Sequence, residues 1–205
     1  MIFEDGRFVV SGTDRALTFG EIVRAAFSVH KLPPDLSGGL DSSVTYAPQE
    51  PSYPNGCHVC EVEIDPDTGA LAILRYVVAD DVGRVINHAI VEGQVHGGVA
   101  QGAGQALFET VIYERDSGQL VTGSFMDYAM PRADDLPAIQ ILSNEVPCTT
   151  NPLGVKGAGE AGVIGAIPAV IGAVVDALRP LGIRHIDMPA TPERIWRAIQ
   201  DARTD

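Results

Sequence analysis

The chain has 205 residues, enough for one ordinary domain or two small lobes around a shared core, and 45% of them are hydrophobic against only 6% aromatic. A formal net charge of −13 argues against nucleic acid or an anionic membrane surface as partner. Three cysteines and an acidic beginning without a leader pattern point to a reducing cytoplasm.

Residues 7–10 read as a short strand. Thr18-Phe-Gly-Glu21 is a capping box, in which hydroxyl and carboxylate satisfy each other's backbone N–H groups, and it opens a helix through Phe27. Lys31 to Asn55 is rich in Pro, Gly and Ser and reads as a long loop. Residues 1–55 are therefore set apart from a C-terminal domain spanning 56–205. Strands are expected near 57–64 and 71–79, joined by the turn signal Asp65-Pro-Asp-Thr-Gly69. In the first, alternation puts His58, Cys60, Val62 and Ile64 on one face. Cys57-His-Val-Cys60 is spaced like a metal or redox pair. No second pair completes a zinc site, and strand alternation favours a structural role.

Asn87 precedes a helix expected to run to about Phe108. The segment from Glu92 to Glu109 holds five glycines, three glutamines and one histidine. On a helix Gln94, Gly97, Gly98 and Gln101 share a face, with Gly102 beside them. Glycines allow close approach, and primary amides both donate and accept hydrogen bonds. The face suits a flat, heteroatom-rich ligand such as a pterin or a phosphate ester. Tight helix packing explains the glycines equally well, but not the glutamines. His96 reads as a hydrogen-bonded structural residue.

A hairpin is expected next, with Val111–Glu114 and Leu120–Gly123 around Asp116-Ser-Gly118, followed by a strand at 138–143. Ala161 to Val175 is apolar and uncharged but shorter than the ~20 residues that span a bilayer. Gly162, Gly165, Pro168 and Gly172 interrupt it. It reads as a loop leading into a buried helix over about 168–178, with Pro168 among its early residues. Thr191-Pro192 caps a final short helix. Strand pairs interleaved with helices indicate an α+β architecture.

Between the 138–143 strand and that helix lies Asn151-Pro-Leu-Gly-Val-Lys-Gly-Ala-Gly-Glu-Ala-Gly162. Four glycines in nine residues, and one carboxylate at the head of an apolar helix, suit a group placed for proton transfer. A glycine-rich connection with a helix-starting Glu accounts for the local pattern too. Gly157 to Gly162 also matches G-x-G-x-x-G, but no strand precedes it, and Glu160 would repel a pyrophosphate. Burial of Glu160 would raise its pKa, and a nearby Lys156 would oppose that. Lys156 could hold Glu160 ionised or meet a cofactor phosphate, or it could be a solvated loop lysine.

The segments YPNGCHVCEVEIDPDTG, DDVGRVIN, EGQVHGGVAQGAGQALFE, TGSFMDYAMPRADDLP, NPLGVKGAGEAG and HIDMPATPERIWRAI occur in one order that resembles a known family. It is the molybdenum hydroxylase large-subunit family of xanthine dehydrogenase, aldehyde oxidase and aerobic carbon monoxide dehydrogenase, in its C-terminal molybdopterin-binding part. The resemblance runs from about Tyr53 to Ile199 and is weaker before that. It implies an active-site base at Glu160. It also implies a cofactor surface drawn from Gln94, Gly97, Gly98, Gln101, Gly102, Lys156, Gly157 and Gly159. The cofactor would be molybdopterin, in the cytosine dinucleotide form, whose dithiolene and not the protein holds molybdenum.

By the same resemblance, iron–sulfur clusters and FAD belong on a small and a medium partner subunit. Family members are several times longer, so a missing N-terminal half of the large subunit is a further expected partner, and this chain is a fragment or a separately encoded half. The implied activity is oxidative hydroxylation of an aldehyde or N-heterocycle, or oxidation of carbon monoxide. The alternative is a non-catalytic, truncated binding or assembly module of the same fold. His88 stands where many relatives carry proline.

Overall fold

A computed structural model describes residues 1–48 and 50–204. The chain divides into two compact units, Met1–Ala47 and Pro48–Asp205, with the division inside the Pro/Gly/Ser-rich loop.

The first unit holds three strands, β1 (Ile2–Glu4), β2 (Arg7–Val9) and β3 (Ala16–Thr18), paired antiparallel in that order. The strand expected at 7–10 is the middle one; the outer two, at three residues each, are too short to display an alternating pattern. Helix α1 (Phe19–Ala26) begins with the expected reciprocal cap: Glu21 N–H donates to Thr18 Oγ1 at 3.2 Å and Thr18 N–H donates to Glu21 Oε2 at 2.8 Å. These bonds satisfy two N–H groups that a helix start otherwise leaves open.

In the second unit, β4 (Asn55–Ile64) and β5 (Leu71–Asp81) form the expected hairpin, turning at Gly69 with φ +73°. The face predicted from alternation is the inner one, since His58, Cys60, Val62 and Ile64 are each partly buried while their neighbours are exposed. Cys57 and Cys60 therefore point to opposite faces and cannot converge on one ion. Burial pushes the Cys60 thiol up to about 11. Strand β6 (Ile139–Ser143) then pairs with β5 in parallel, giving the sheet order β4-β5-β6.

Three helices complete the unit. Helix α2 (His88–Leu107) is capped by Asn87, whose side chain accepts from Ile90 N–H at 3.1 Å. Helix α3 (Ala161–Leu178) starts well before the predicted position, so Pro168 lies inside it. A proline there deprives the carbonyl of Ile164 of its helical donor. That is tolerable because Ile164 is 67% exposed and Pro168 is on the same exposed side. Helix α4 (Pro192–Thr204) is capped by Thr191 Oγ1, which accepts from Arg194 N–H at 3.3 Å. The predicted hairpin around Asp116–Gly118 reduces to a single bridge, Tyr113 with Leu120. Bonds donated by Ser117 N–H and Oγ to the Glu114 carboxylate, with backbone bonds such as Glu114 N–H to Gln119 O, hold the turn where a longer ladder was expected.

Core residues from β5 (Ile73, Tyr76, Val78), α2 (Val95, Val99, Ala103), α3 (Ala166, Val170, Val174) and α4 (Ile195, Ile199) form one cluster. Helix α3, with the short turn after it, is long and apolar enough to cross a membrane by length and composition. Here Gly162, Ala166, Val170, Val174 and Leu178 line its buried side.

The α2–α3 crossing is made at glycine. A Cβ on Gly98 would stand 2.8 Å from Val163 N and 2.9 Å from Gly162 Cα; one on Gly102 would stand 2.6 Å from the Ala166 Cβ. Gly97, the adjacent residue, faces open space. Gly98→Ala should therefore destabilise the chain by about 1–3 kcal/mol, because backbone has to move. Gly97→Ala should stabilise it by about 0.5–1 kcal/mol through helix propensity. Urea denaturation of the two variants checks the opposite signs.

Candidate functional site

The outer side of α2 and the loop before α3 form one surface. Gln94, Gly97 and Gln101 are exposed on α2, and Gly157, Gly159 and Glu160 are exposed on the loop. Gln94 and the loop meet: a Cβ added at Gly159 would lie 3.7 Å from Gln94 Oε1. Glu160 occupies the N-cap position of α3 with φ −107° and ψ −7°, and its side chain makes no capping hydrogen bond. The carboxylate is thus not consumed in holding the helix end. Its exposure departs from the burial expected for it, because the apolar residues that follow it turn into the α2–α3 contact.

Gly98 and Gly102 belong elsewhere. Both are buried at the helix crossing, where they let α2 approach α3 closely enough to bring Gln94 beside Gly159. The face drawn from sequence spacing splits into an exposed edge carrying the amides and a buried edge carrying these two glycines. His96 bonds locally, Nδ1 lying 2.8 Å from the Glu92 carbonyl.

Lys156 is neither solvated nor turned toward Glu160. Its Nζ donates to Asp81 Oδ2 at 2.6 Å, with the two side chains only 11% and 5% exposed. The other carboxylate oxygen, Oδ1, accepts from Gly83 N–H at 2.9 Å and Val146 N–H at 3.2 Å. Burial by itself would raise the Asp81 carboxyl, but these donors outweigh it and hold it down at about 2. Backbone bonds continue the fastening. Lys156 N–H donates to Val82 O and Arg84 N–H to Gly154 O, both at 2.9 Å. Gly83, at φ +69°, packs so closely on the Gly154 carbonyl that no side chain fits between them.

Beside the first turn of α3 is a second buried polar group. His58 Nδ1 lies 2.9 Å from the Tyr76 hydroxyl and Nε2 lies 3.4 Å from Asp80 Oδ1. Gly56 and Gly165 make room for it; a Cβ on Gly165 would stand 2.5 Å from the His58 ring. A cavity of about 140 Å³ opens there, lined by Pro54, Asn55, His58, Asp80 and Ile164 among others. Sequence reasoning assigned no role to Asp80 or Asp81, and placed His58 only on one face of its strand. The available signal was a pair of acids ending an apolar strand, where charge without a partner is costly. Among the described residues, no group of three or more His, Cys, Asp or Glu side chains could hold a metal ion.

Residues 1–137 match the family model described as a molybdopterin cofactor-binding domain. The chain belongs to the molybdenum hydroxylase large-subunit family. It is 38% identical over 200 residues to the nicotine 6-hydroxylase large subunit of Paenarthrobacter nicotinovorans, covering 97% of this chain and 24% of that protein. With the carbon monoxide dehydrogenase large chain of Hydrogenophaga pseudoflava it is 35% identical, covering 97% and 24%. The crystal structure of quinoline 2-oxidoreductase from Pseudomonas putida 86 superposes with a TM-score of 0.87 at 43% identity, over 98% of this chain and 26% of that one. The chain therefore spans about a quarter of the length of these family members. The family match begins at residue 1, so the small N-terminal unit is part of it.

Because the Asp81 carboxyl is depressed from its ordinary 3.8, the stability it contributes is present above that value and is lost as pH falls toward about 2. The difference in unfolding free energy between the wild-type chain and the double variant Asp81→Asn/Lys156→Met, which leaves no unpaired charge, should stay flat through neutral pH. It should shrink only as the pH is lowered from about 4 to about 2. Denaturation curves across that range test it, and a difference that changes near neutral pH would contradict it.

Proposed function

We propose that the chain is the C-terminal part of a molybdenum hydroxylase large subunit, contributing the base Glu160 and one wall of the molybdopterin site. The observation carrying this reading is the exposed carboxylate of Glu160, free of any capping bond and next in the chain to Gly159, which lies against Gln94, on a surface where glycines leave open space. Gly97 and Gly157 have no atom within 4 Å of where a Cβ would be. Such a surface fits a flat, heteroatom-rich group. Gln94 and Gln101 offer amide donors and acceptors to it, and Gly97, Gly157 and Gly159 let it approach the backbone.

Gly98, Gly102 and Lys156 act behind this surface, shaping it rather than touching the cofactor. When bound, the molybdenum cofactor, proposed as the cytosine dinucleotide form, supplies two-electron oxidation coupled to oxygen transfer. Glu160 accepts a proton on a carboxylate oxygen. It can do so because no helix N–H competes for that oxygen. The remainder of the large subunit closes the second wall. Iron–sulfur and FAD-bearing subunits carry electrons away, in a cytoplasmic complex.

The substrate class is a nitrogen heterocycle hydroxylated at ring carbon, in preference to an aldehyde or carbon monoxide. The matches to quinoline 2-oxidoreductase at 43% and nicotine 6-hydroxylase at 38% support it over the 35% match to carbon monoxide dehydrogenase.

In the assembled enzyme, Glu160→Gln should keep fold and molybdenum content and lose turnover of a nitrogen heterocycle by roughly 10²–10⁴-fold, since an amide cannot take up the proton. Asp176→Asn, an exposed acid at the far end of α3, should turn over normally. Near wild-type turnover by a fully loaded Glu160→Gln enzyme would remove the base assignment.

Gln94→Ala or Gln101→Ala should leave thermal unfolding unchanged and weaken cofactor retention by about 1.5–3 kcal/mol, the cost of losing a hydrogen bond to a charged group. Molybdenum content measured under limiting cofactor reports this directly.

A further inference from the structure

We infer that Asp81 and Lys156 form a latch that positions Glu160, an inference that rests on the reading of Glu160 as the base. Glu160 lies between two anchors. On its C-terminal side, Gly162 is pressed into α2, where a Cβ would stand 2.8 Å from Val95 O. On its N-terminal side, Lys156 is tied to the end of β5 by the 2.6 Å bond to Asp81 and by its own N–H to Val82 O. Between Lys156 and Glu160 stand only Gly157, Ala158 and Gly159, which have no polar side chain to hold them. The glycine stretch that leaves room for a ligand is also the part of the backbone with most freedom to move. Its placement depends on what clamps its two ends.

The clamp is built for rigidity. Asp81 gathers Lys156 from the loop, Val146 from the segment after β6 and Gly83 from its own turn, while Asn55 Nδ2 approaches Oδ2 at 3.4 Å. Three separate stretches of chain thus converge on one buried carboxylate. Asn151 fastens the middle of the loop to itself, donating to Val155 O at 2.9 Å and accepting from Val155 N–H at 3.1 Å. The segment up to Lys156 is therefore stiff and registered to β5. Asp81 and Lys156 are positioning residues: neither is on the exposed surface, and both act through the backbone that carries Glu160.

Removing the ammonium alone would strand a buried carboxylate, so the test uses the double variant Asp81→Asn/Lys156→Met, which leaves no unpaired charge, and the charge-keeping Lys156→Arg. Hydrogen exchange on the 205-residue chain should speed at least 10-fold in the double variant at the amides of Lys156 and Arg84, whose bonds to Val82 O and Gly154 O fasten the loop, with amides in the buried halves of α2 and α3 unchanged. Lys156→Arg should restore most of the protection.

In the assembled enzyme, the double variant should lose about 10- to 100-fold in kcat, as expected for a misplaced catalytic group, with KM and molybdenum content unchanged. Unaltered exchange at Lys156 and Arg84 overturns the latch whatever the activity. Faster exchange with unaltered kcat overturns its catalytic purpose. Retained turnover in Glu160→Gln, by contrast, strikes the base assignment and leaves the exchange result standing.

Discussion

The site depends on the absence of side chains where α2 crosses α3. Gly98 and Gly162 meet backbone to backbone and Gly102 lies against the Ala166 methyl, and this closeness lets Gln94 on one helix reach the loop that starts the other. Any larger residue at the crossing would separate the helices by roughly the width of a methyl group or more. The amide face and the carboxylate would then no longer share a surface. The core around the crossing, from Tyr76 and Val78 through Val95 and Val170, fixes the angle of approach by packing alone. The chemistry on top is thus set by apolar contacts beneath it.

Sheet and loop add the second constraint. β5 ends in two acids that serve different neighbours: Asp80 lies beside His58 on the inner face, whereas Asp81 turns to the Lys156 loop. Alternation along a strand makes this division of labour unavoidable, since consecutive side chains point to opposite faces. Both acids are buried, and both are served by glycines that clear space for them: Gly56 for Asp80 and Gly83 for the approach of the loop.

Much of this was legible in the residues. The Thr18 and Asn87 caps, the hairpin about Asp65–Gly69 and the inner face of β4 follow from local rules of capping, turn chemistry and alternation, and local rules need only neighbours in sequence. The start of α3 was misplaced because Pro168 usually marks a first turn. Here the solvent side of the helix tolerates the lost hydrogen bond, and tertiary packing at Gly162 overrides the signal. The partner of Lys156 was invisible for a different reason. Asp81 lies 75 residues away, and no periodicity encodes a contact at that range. Likewise, spacing placed Gly97 and Gly98 together as neighbours on a helix face, but only the position of α3 decides which of the two is covered.

The 75-residue separation of Lys156 from Asp81, and the 65 residues between Val146 and the same carboxylate, also bear on how the chain reaches its native state. The β4–β5 hairpin and the turns of α2 can form from contacts between near neighbours. The Asp81 hub requires the ends of long loops to find one another first, and the entropy of that closure must be met before any bond there is rewarded. The segment that carries Glu160 is thereby tied to the slow, non-local part of the folding reaction. Its geometry is inherited from completed assembly of the sheet and helices, and cannot precede them.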